Sequence, residues 1–399
     1  MKKVSLTWGA VFSVVVASSL LACPRARVDA TTDGGGALAP DVLDALAPTG
    51  ATDDAGPEER GQLVADEDVG PLLARLSEDP GRFPSDNYVT NETTLLDVAP
   101  ELRDPRRRDR AYVGVGPDQS FSYLAMLDPR VAYIVDIRRG NTLEHMFFRA
   151  CFEAGETRSG FLSALLSRRP RAVDAATVDD IGDLLTAFDD KKPDPALRAE
   201  SLSRTRALMG RLRFVRRDGD DEELGRIVDA FATRGLSIAY AMQGSHRRYP
   251  TLAENFAARD VTGERATFLA TEESYRRVRG LVLGNRVLPV VGDFGSPRAL
   301  RAVAADMRER GVLLGAFYTS NVEQYLFDAR KHGTFVDNVR AMPRDELSLI
   351  VRVWFDQGKR HPAARPGHRT TQLTMPANVF VERADRAPFR SYWQVVTAP

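Results

Sequence analysis

The sequence predicts an α/β fold with an open, mostly parallel sheet, because two stretches of the chain alternate apolar runs with helix-like segments. In residues 111–141 an apolar run ends in a Gly-Val-Gly turn, a helix-like segment follows, and a second apolar run ends at Asp136. In residues 286–318 two apolar runs flank an amphipathic segment. Such alternation is typical of parallel strands joined by helices. Residues 142–285 have mostly helical spacing, so we expect a Rossmann-like sheet with a helical insertion.

The remaining strands are expected where short apolar runs are bounded by turn residues. The segment Leu236–Met242 is a further candidate inside the insertion. After the second αβ stretch we expect strands at Leu347–Phe355, near Gln372–Glu382 and at Tyr392–Val396.

Composition limits the classes of function. The chain has 399 residues, 43% of them apolar, so it can bury a sizeable core. Basic and acidic residues are equal at 55 each, which gives no net field that would attract nucleic acid, and we expect no nucleic-acid partner. The two cysteines exclude a disulfide framework, and Cys151, in an apolar helical context, is expected to be a small buried hydrophobe.

Residues 1–23 have the pattern of a lipoprotein signal peptide. Lys2 and Lys3 precede an apolar run that ends Leu-Leu-Ala at residues 20–22, directly before Cys23. This ending resembles a bacterial lipobox, in which Cys23 would become the lipidated first residue of the mature protein. The protein is then exported and held at the cell envelope by lipid, on a membrane face that the sequence does not specify. The alternative is an ordinary signal peptide or a membrane anchor that happens to contain cysteine.

Residues 24–68 are rich in Ala, Gly, Pro, Asp and Thr and almost lack aromatic side chains. Such a stretch buries too little apolar surface to offset the entropy lost on ordering. We expect a disordered tether here and a folded domain over residues 69–399.

The turn after the first strand is a candidate ligand site. Gly114 and Gly116 would let the backbone turn tightly and approach a ligand. Asp136, 20 positions after Gly116, has the spacing of an acid that accepts hydrogen bonds from ribose hydroxyls. Gln119 occupies the place of the third glycine of Gly-x-Gly-x-x-Gly, which argues against a standard dinucleotide site. A plain turn and a helix N-cap are the alternative interpretation.

Polar residues also follow the later strands, at the edge where open α/β sheets bind ligands. Asp293 and Phe294 follow one strand, and Ser320, Asn321 and Tyr325 follow the next. We expect Asp293 to reach a base or an amine, and Asn321 and Tyr325 to face a substrate. Helix capping is the alternative for Asp293, Ser320 and Asn321.

A polar run before the first strand is a candidate loop over the site. It contains Asp86, Asn87, Asn91 and Glu92, and capping of a following helix explains it equally. The polar loop of residues 356–371 holds two histidines without a third ligand at a metal-binding spacing, so we predict no metal site.

The order of these segments resembles the S-adenosylmethionine-dependent methyltransferase fold. The resemblance implies that Gly114 and Gly116 cradle the methionine part of the cofactor and that Asp136 holds its ribose. It further implies that Asp293 with Phe294 contacts the adenine, and that the loop of Ser320 and Asn321 faces the methyl acceptor. The acid that commonly begins the glycine motif is absent, since Tyr112 or Val113 stands there, and the Asn-Pro-Pro-Tyr type of acceptor loop is absent too.

Several motifs resemble an uncharacterised family of bacterial proteins, some of them lipoproteins. The resemblance covers about residues 80–355 and implies no activity. The motifs are FPSDN, GVGPDQSFSYL, YIVDIRR, FLATEESYR, LPVVGDF and FYTSNVEQYLF.

Three functions are compatible with these observations. The first is an envelope lipoprotein that binds a small, nucleotide-type ligand in a methyltransferase-like domain. The second is an active S-adenosylmethionine-dependent methyltransferase on a small acceptor, which Asp86, Asn87, Asn321 and Tyr325 would position. The third, an NAD-dependent oxidoreductase, is weakest because of Gln119. The oligomeric state stays open.

Overall fold

The computed structural model describes residues 61–171, 180–189, 192–242 and 247–398. The predicted signal peptide, with Cys23, and most of the predicted tether lie outside the described residues. The first helix begins at Asp66, three residues before the predicted start of the domain, and Leu63 N donates to Gly284 O at 2.8 Å. In the described ranges no helix is long and apolar enough to cross a membrane.

Six strands form one sheet, which lies in the order β3-β2-β1-β4-β5-β6. The pairs from β3 to β5 are parallel, and β6 runs antiparallel to β5. The predicted α/β fold with a mostly parallel sheet is confirmed, and the arrangement is compatible with a Rossmann-like fold. The strands are β1 Ala111–Gly114, β2 Val131–Asp136, β3 Val287–Val291, β4 Leu314–Ser320, β5 Leu349–Phe355 and β6 Thr370–Pro376.

The central strands are buried along their whole length because they are short apolar runs covered by helices. Every residue of β1 and β2 is buried, as expected for parallel strands with both faces covered. The helices are α1 Asp66–Leu76, α2 Ala99–Leu102, α3 Gln119–Leu127, α4 Arg139–Ala154, α5 Arg158–Leu166, α6 Ile181–Thr186, α7 Pro195–Arg211, α8 Asp220–Arg234, α9 Leu252–Phe256, α10 Glu272–Leu283, α11 Ala299–Glu309, α12 Val322–Asp328, α13 His332–Ala341, α14 Ala377–Arg386 and α15 Tyr392–Val396.

The connection between β2 and β3 contains α4 to α10, in the region where the sequence has helical spacing. Helix α4 packs on β2 and β3 and carries the buried Cys151, as expected for a small hydrophobe. Side-chain caps begin several of these helices: Thr157 accepts from Gly160 N, and Asp194 accepts from Ala196 N. The insertion is therefore anchored on one face of the sheet by α4.

The end of the chain differs from the predicted pair of closing strands. After β6 the chain turns at Pro376 into α14, and residues 392–396 form α15. Ala377, Phe380 and Val381 are the buried residues of α14, and this spacing is that of a helix face rather than of a strand. The candidate strand Leu236–Met242 is also absent from the described residues; a 3-10 turn covers Gly235–Ser237 and leads to an isolated bridge.

The topology fixes where a ligand would bind. From β1 the sheet extends through β2 to β3 on one side and through β4 to β5 on the other. The order therefore reverses between β1 and β4, and the crevice outside the carboxyl ends of these two strands is a topological switch point.

Candidate functional site

A cavity of about 290 Å³ lies at this edge of the sheet. Its walls are the segments that follow the parallel strands: residues 115–119 after β1, 135–138 after β2, 292–294 after β3 and 318–326 around the end of β4. Residues of the segment 82–92 and the side chains of Tyr240 and Tyr249 line its remaining sides.

Most of the residues predicted from sequence line this one cavity. They are Asn87, Gly116, Gln119, Asp136, Asp293, Phe294, Ser320, Asn321 and Tyr325.

Gly114 and Asp86 lie elsewhere. A Cβ at Gly114 would lie 2.4 Å from the Tyr112 hydroxyl, so this glycine makes room for a packed ring at the end of β1. Asp86 lines a neighbouring groove, and its carbonyl oxygen accepts a hydrogen bond from Arg138. Its carboxylate is exposed.

Gln119 ties the glycine turn to β4. Gly116 has φ +87°, a conformation that glycine adopts without strain, and a Cβ there would lie 2.7 Å from Gln119 Nε2. Gln119 Nε2 donates to Val115 O at 3.0 Å and to the Tyr318 hydroxyl at 3.4 Å. The residue that replaces the third glycine thus closes the turn and spans the switch point.

Asp136 is held by an arginine from its own loop. Its Oδ2 lies 3.0 Å from Arg138 Nη2, and its Oδ1 accepts from Arg138 Nε at 3.2 Å and from the Arg138 backbone N at 2.8 Å. Both side chains are largely buried. The predicted ribose-binding acid therefore lies at the cavity wall paired with Arg138. The pair offers a ligand acceptor and donor groups side by side.

Asp293 makes the contacts of a loop-capping residue. Its Oδ1 accepts from Gly295 N at 2.8 Å, and its Oδ2 pairs with Lys331 Nζ at 2.8 Å. Its backbone N donates to Glu78 Oε1 at 2.7 Å. Asp293 is not a helix N-cap, since the next helix begins at Ala299 with Arg298 at its N-cap; its carboxylate instead closes a turn within the loop and is paired with Lys331.

Glu92, which precedes the first strand, is a buried acid of the cavity lining that the sequence pattern does not single out as a site residue. It is 1% exposed, and its Oε1 accepts hydrogen bonds from the Tyr318 hydroxyl and, at 2.7 Å, from Ser320 Oγ. Its Oε2 is buried and has no hydrogen-bond partner among the described residues. Burial raises the pKa of Glu92 to about 7, although both hydroxyl donors act to lower it.

Ser320, whose hydroxyl donates to Glu92, has an unusual backbone conformation at the end of β4. Ser320 has φ +50°, which is unfavourable for a residue with a Cβ, and the pairing of β4 with β5 shifts register between Tyr318 and Ser320. Non-glycine residues held in this region are concentrated at functional sites.

The cavity wall also carries aromatic rings. Phe83 and Tyr325 meet edge to face with ring centroids 5.6 Å apart, and Tyr240 and Tyr249 do so at 4.8 Å. These pairs give the polar end of the sheet an apolar, flat-sided lining of the kind that small-molecule sites use.

A second buried polar group lies on α4, next to the glycine turn. Glu144 and Asn141 are fully buried, and neither side chain has a hydrogen-bond partner among the described residues. Burial raises the pKa of Glu144 well above its ordinary range, so the neutral acid is favoured. On the same helix His145 Nε2 lies 3.1 Å from Gly116 O, and burial lowers its pKa to about 4.

Residues 88–387 match the family described as a domain of unknown function, DUF7790, which is well over half of the chain. The chain belongs to this family. None of the curated proteins matches it. The matched DUF7790 span contains all six strands and the cavity residues Glu92, Asp136 and Ser320, whereas Phe83 precedes it.

In the parts of the chain that the structure describes, no group of three or more His, Cys, Asp or Glu side chains could hold a metal ion. His361 Nε2 lies 3.1 Å from Val396 O, and His368 Nδ1 lies 2.8 Å from Thr93 O, so both histidines tie loops together.

Proposed function

We propose that this domain binds a small, nucleoside-type ligand in the cavity at the switch point. One observation carries the proposal: the carboxyl ends of β1, β2, β3 and β4 meet at a cavity of about 290 Å³ whose lining combines aromatic rings with a few buried polar groups. Its size lies near the lower end of the range for small-molecule sites, about 300–1,000 Å³. In open α/β sheets this crevice is where ligands bind.

The polar groups support a ligand with vicinal hydroxyls and a flat ring. The Asp136–Arg138 pair offers an acceptor and a donor close together, which suits a diol. The turn at Gly116 forms part of the cavity wall, where a ligand would meet backbone as well as side chains. The rings of Phe83 and Tyr325 offer faces and edges to a planar group.

We further propose that the ligand is bound at the bacterial envelope, by a protein anchored through lipid at Cys23. The lipobox-like ending at residues 20–23 supports this location. A ligand in that compartment would be one that reaches the outside of the cytoplasmic membrane.

A methyltransferase acting on a small acceptor is the second candidate. It is favoured because three positions that the resemblance assigns to the methyl donor, Gly116, Asp136 and Asp293, line the same cavity. It is disfavoured because an exported protein faces a space that is not supplied with S-adenosylmethionine. The oxidoreductase alternative has the strand order of a dinucleotide fold in its favour and Gln119 against it.

Calorimetry of the full-length protein in detergent tests the proposal. We titrate it with adenosine, S-adenosylmethionine, S-adenosylhomocysteine and NAD, and expect at least one to bind with a Kd of about micromolar order. Asp136→Asn should weaken that binding by about tenfold or more, because the paired carboxylate is lost.

Asp229→Asn is the matched control, since Asp229 forms an exposed pair with Arg198 on α7 and α8. It should leave the Kd unchanged. The absence of heat with all four compounds would refute the nucleoside-type site, and binding of S-adenosylmethionine followed by methyl transfer to an added acceptor would favour the enzyme.

A further inference from the structure

In the part of the chain that the structure describes, three acidic side chains line the cavity, and only two of them are paired with a basic side chain. Asp136 is paired with Arg138, and Asp293 is paired with Lys331. Glu92, the third acid of the lining, forms no ion pair among the described residues; its carboxylate accepts from two hydroxyls, and its backbone N donates to the Thr90 hydroxyl. Glu92 is therefore the cavity acid whose charge the protein does not compensate.

The titratable groups that face Glu92 are acids and phenols. They come from the first strand, from the turn and helix behind it, from the end of β4 and from the last helix. The charge of Asp118 disfavours a negative charge on Glu92, the Tyr318 hydroxyl stabilises that charge by a hydrogen bond, and none of these groups is a base. These groups are Asp118, Tyr112, Tyr123, Tyr318 and Tyr392.

One carboxyl oxygen of Glu92 is left without a partner among the described residues. Both hydroxyl donors, Tyr318 and Ser320, point to Oε1. Oε2 is buried without a partner in the described part of the chain, and Glu92 lines the cavity. A buried acceptor without a partner is costly, so a ligand that supplies the missing partner gains the energy that the free protein lacks.

We propose that the ligand of the cavity is a small organic cation, and that its positive charge pairs with Oε2 of Glu92. The proposal rests on the proposed function and names the class of ligand for the same cavity. A buried carboxylate is stabilised by a paired positive charge more than by a neutral donor.

The aromatic wall fits the same class of ligand. Phe83, Tyr240, Tyr249 and Tyr325 surround the space with rings, and a cation is attracted to the faces of such rings. Arg82 and Arg247 also line the cavity, and because both residues are exposed, water and salt screen their charges.

Two matched pairs of probes test the charge requirement on the full-length protein in detergent. S-adenosylmethionine and S-adenosylhomocysteine differ by the methyl group and the positive charge on sulfur. 2-Phenylethylamine and 2-phenylethanol differ by an ammonium in place of a hydroxyl, and they do not depend on a nucleoside. In each pair that binds, the cation should bind about tenfold more tightly than its neutral partner.

Glu92→Gln should reduce that preference to about twofold or less while the neutral partner keeps its Kd, because the amide has the shape of the acid without its charge. Glu273→Gln is the matched control, since Glu273 is exposed on α10. Should the glutamine variant fail to fold, judged by near-ultraviolet circular dichroism, Glu92→Asp and the wild-type pH profile take its place. In the Glu92→Asp variant the side chain is shorter, so its carboxylate lies farther from the ligand and the preference for the cation should be reduced.

The pH profile gives an independent measurement. Because the pKa of Glu92 lies at about 7, the wild-type preference for the cation should rise by about fivefold between pH 6 and pH 8 as the carboxylate forms. The Glu92→Gln protein should show a flat profile.

The outcomes separate the two proposals. Equal binding of cation and neutral partner, or a cation preference that survives Glu92→Gln, overturns the cation site and leaves the small-molecule cavity standing. The absence of binding by all four of these probes overturns the cation site, whereas the nucleoside-type site is refuted only if adenosine and NAD also fail to bind.

Discussion

At Glu92 a carboxyl group is buried against two hydroxyls, and its effect on stability follows from the protonation state that burial favours. The pKa is raised from 4.5 to about 7 in the folded protein. The folded state therefore holds the proton more tightly than the unfolded state. The stability contributed by Glu92 is fully present below pH 4.5 and is lost as the pH rises through 7.

Glu92→Gln should remove this loss. We expect the free energy of unfolding of the variant, relative to wild type, to increase by about 3 kcal/mol between pH 4.5 and pH 8, since each pKa unit is worth about 1.4 kcal/mol. Urea denaturation at several pH values in this window measures it. The exposed Glu273→Gln should follow wild type throughout, and a Glu92→Gln curve parallel to wild type would contradict the raised pKa.

Replacing Glu144 tests how much a buried polar group without a hydrogen bond destabilises the protein. Its side chain and that of Asn141 are fully buried, and neither has a hydrogen-bond partner in the described residues. Glu144→Met replaces the carboxyl by an apolar group of similar length, so we expect an increase of about 1–3 kcal/mol in the free energy of unfolding, the cost of an unsatisfied buried group. Thermal and urea denaturation at pH 7 measure the change. A marked loss of stability would show instead that Glu144 has a partner, such as a buried water.

At the scale of elements, the junction of β4 with α12 depends on a buried charge cluster. Glu323, at the start of α12, is fully buried and pairs with Arg352 on β5 and, at 3.0 Å, with His332 Nε2 on α13. The guanidinium of Arg352 also lies 4.6 Å from the Phe380 ring centroid on α14. Burial acts to raise the pKa of Glu323, but Arg352 and His332 together lower it. One charged cluster thus connects four elements behind the cavity.

Removing one partner of this cluster should be costly. Arg352→Met leaves Glu323 buried without its main cation, and we expect a loss of about 3–5 kcal/mol in the free energy of unfolding. The double variant Arg352→Met/Glu323→Leu should recover most of the loss, because the uncompensated charge is gone. Urea denaturation compares the proteins. Arg198→Met, which breaks an exposed pair, should cost about 1 kcal/mol or less, and an equally small effect of Arg352→Met would rule out the role of the cluster.

The apolar strands of the sheet could be predicted from the sequence. The strands β1 to β5 are mostly apolar because both of their faces are covered, so each stands out from its polar flanks even where a polar residue such as Arg352 interrupts the run. The closing helix α14 was not recognised as a helix. It directly follows a strand whose alternation extends into its first residues, and only the helical spacing of Ala377, Phe380 and Val381 marks the change.

At the scale of the whole molecule, the site is assembled from segments that are far apart along the chain. The topology rule places the ends of β1 to β4 together, which is why Gly116, Asp136 and Ser320 could be grouped from sequence. No such rule brings Glu92 to Ser320, 228 residues later, or turns Asp136 toward Arg138. Which side chains pair depends on how the folded chain packs, so these contacts cannot be predicted from composition or from the spacing of residues.

The location of the whole molecule depends on the N-terminal residues, and it gives the last prediction. If Cys23 is the lipidated residue, cells grown with an alkyne analogue of palmitate should yield a labelled wild-type protein in the membrane fraction, because the Leu-x-Ala-Cys ending predicts acylation there. Cys23→Ser should be unlabelled. Cys151→Ser is the matched control: Cys151 is the other cysteine of the chain, it is buried on α4, and its loss should leave labelling intact. A wild-type protein that is exported without label would support an ordinary signal peptide and refute the lipid anchor.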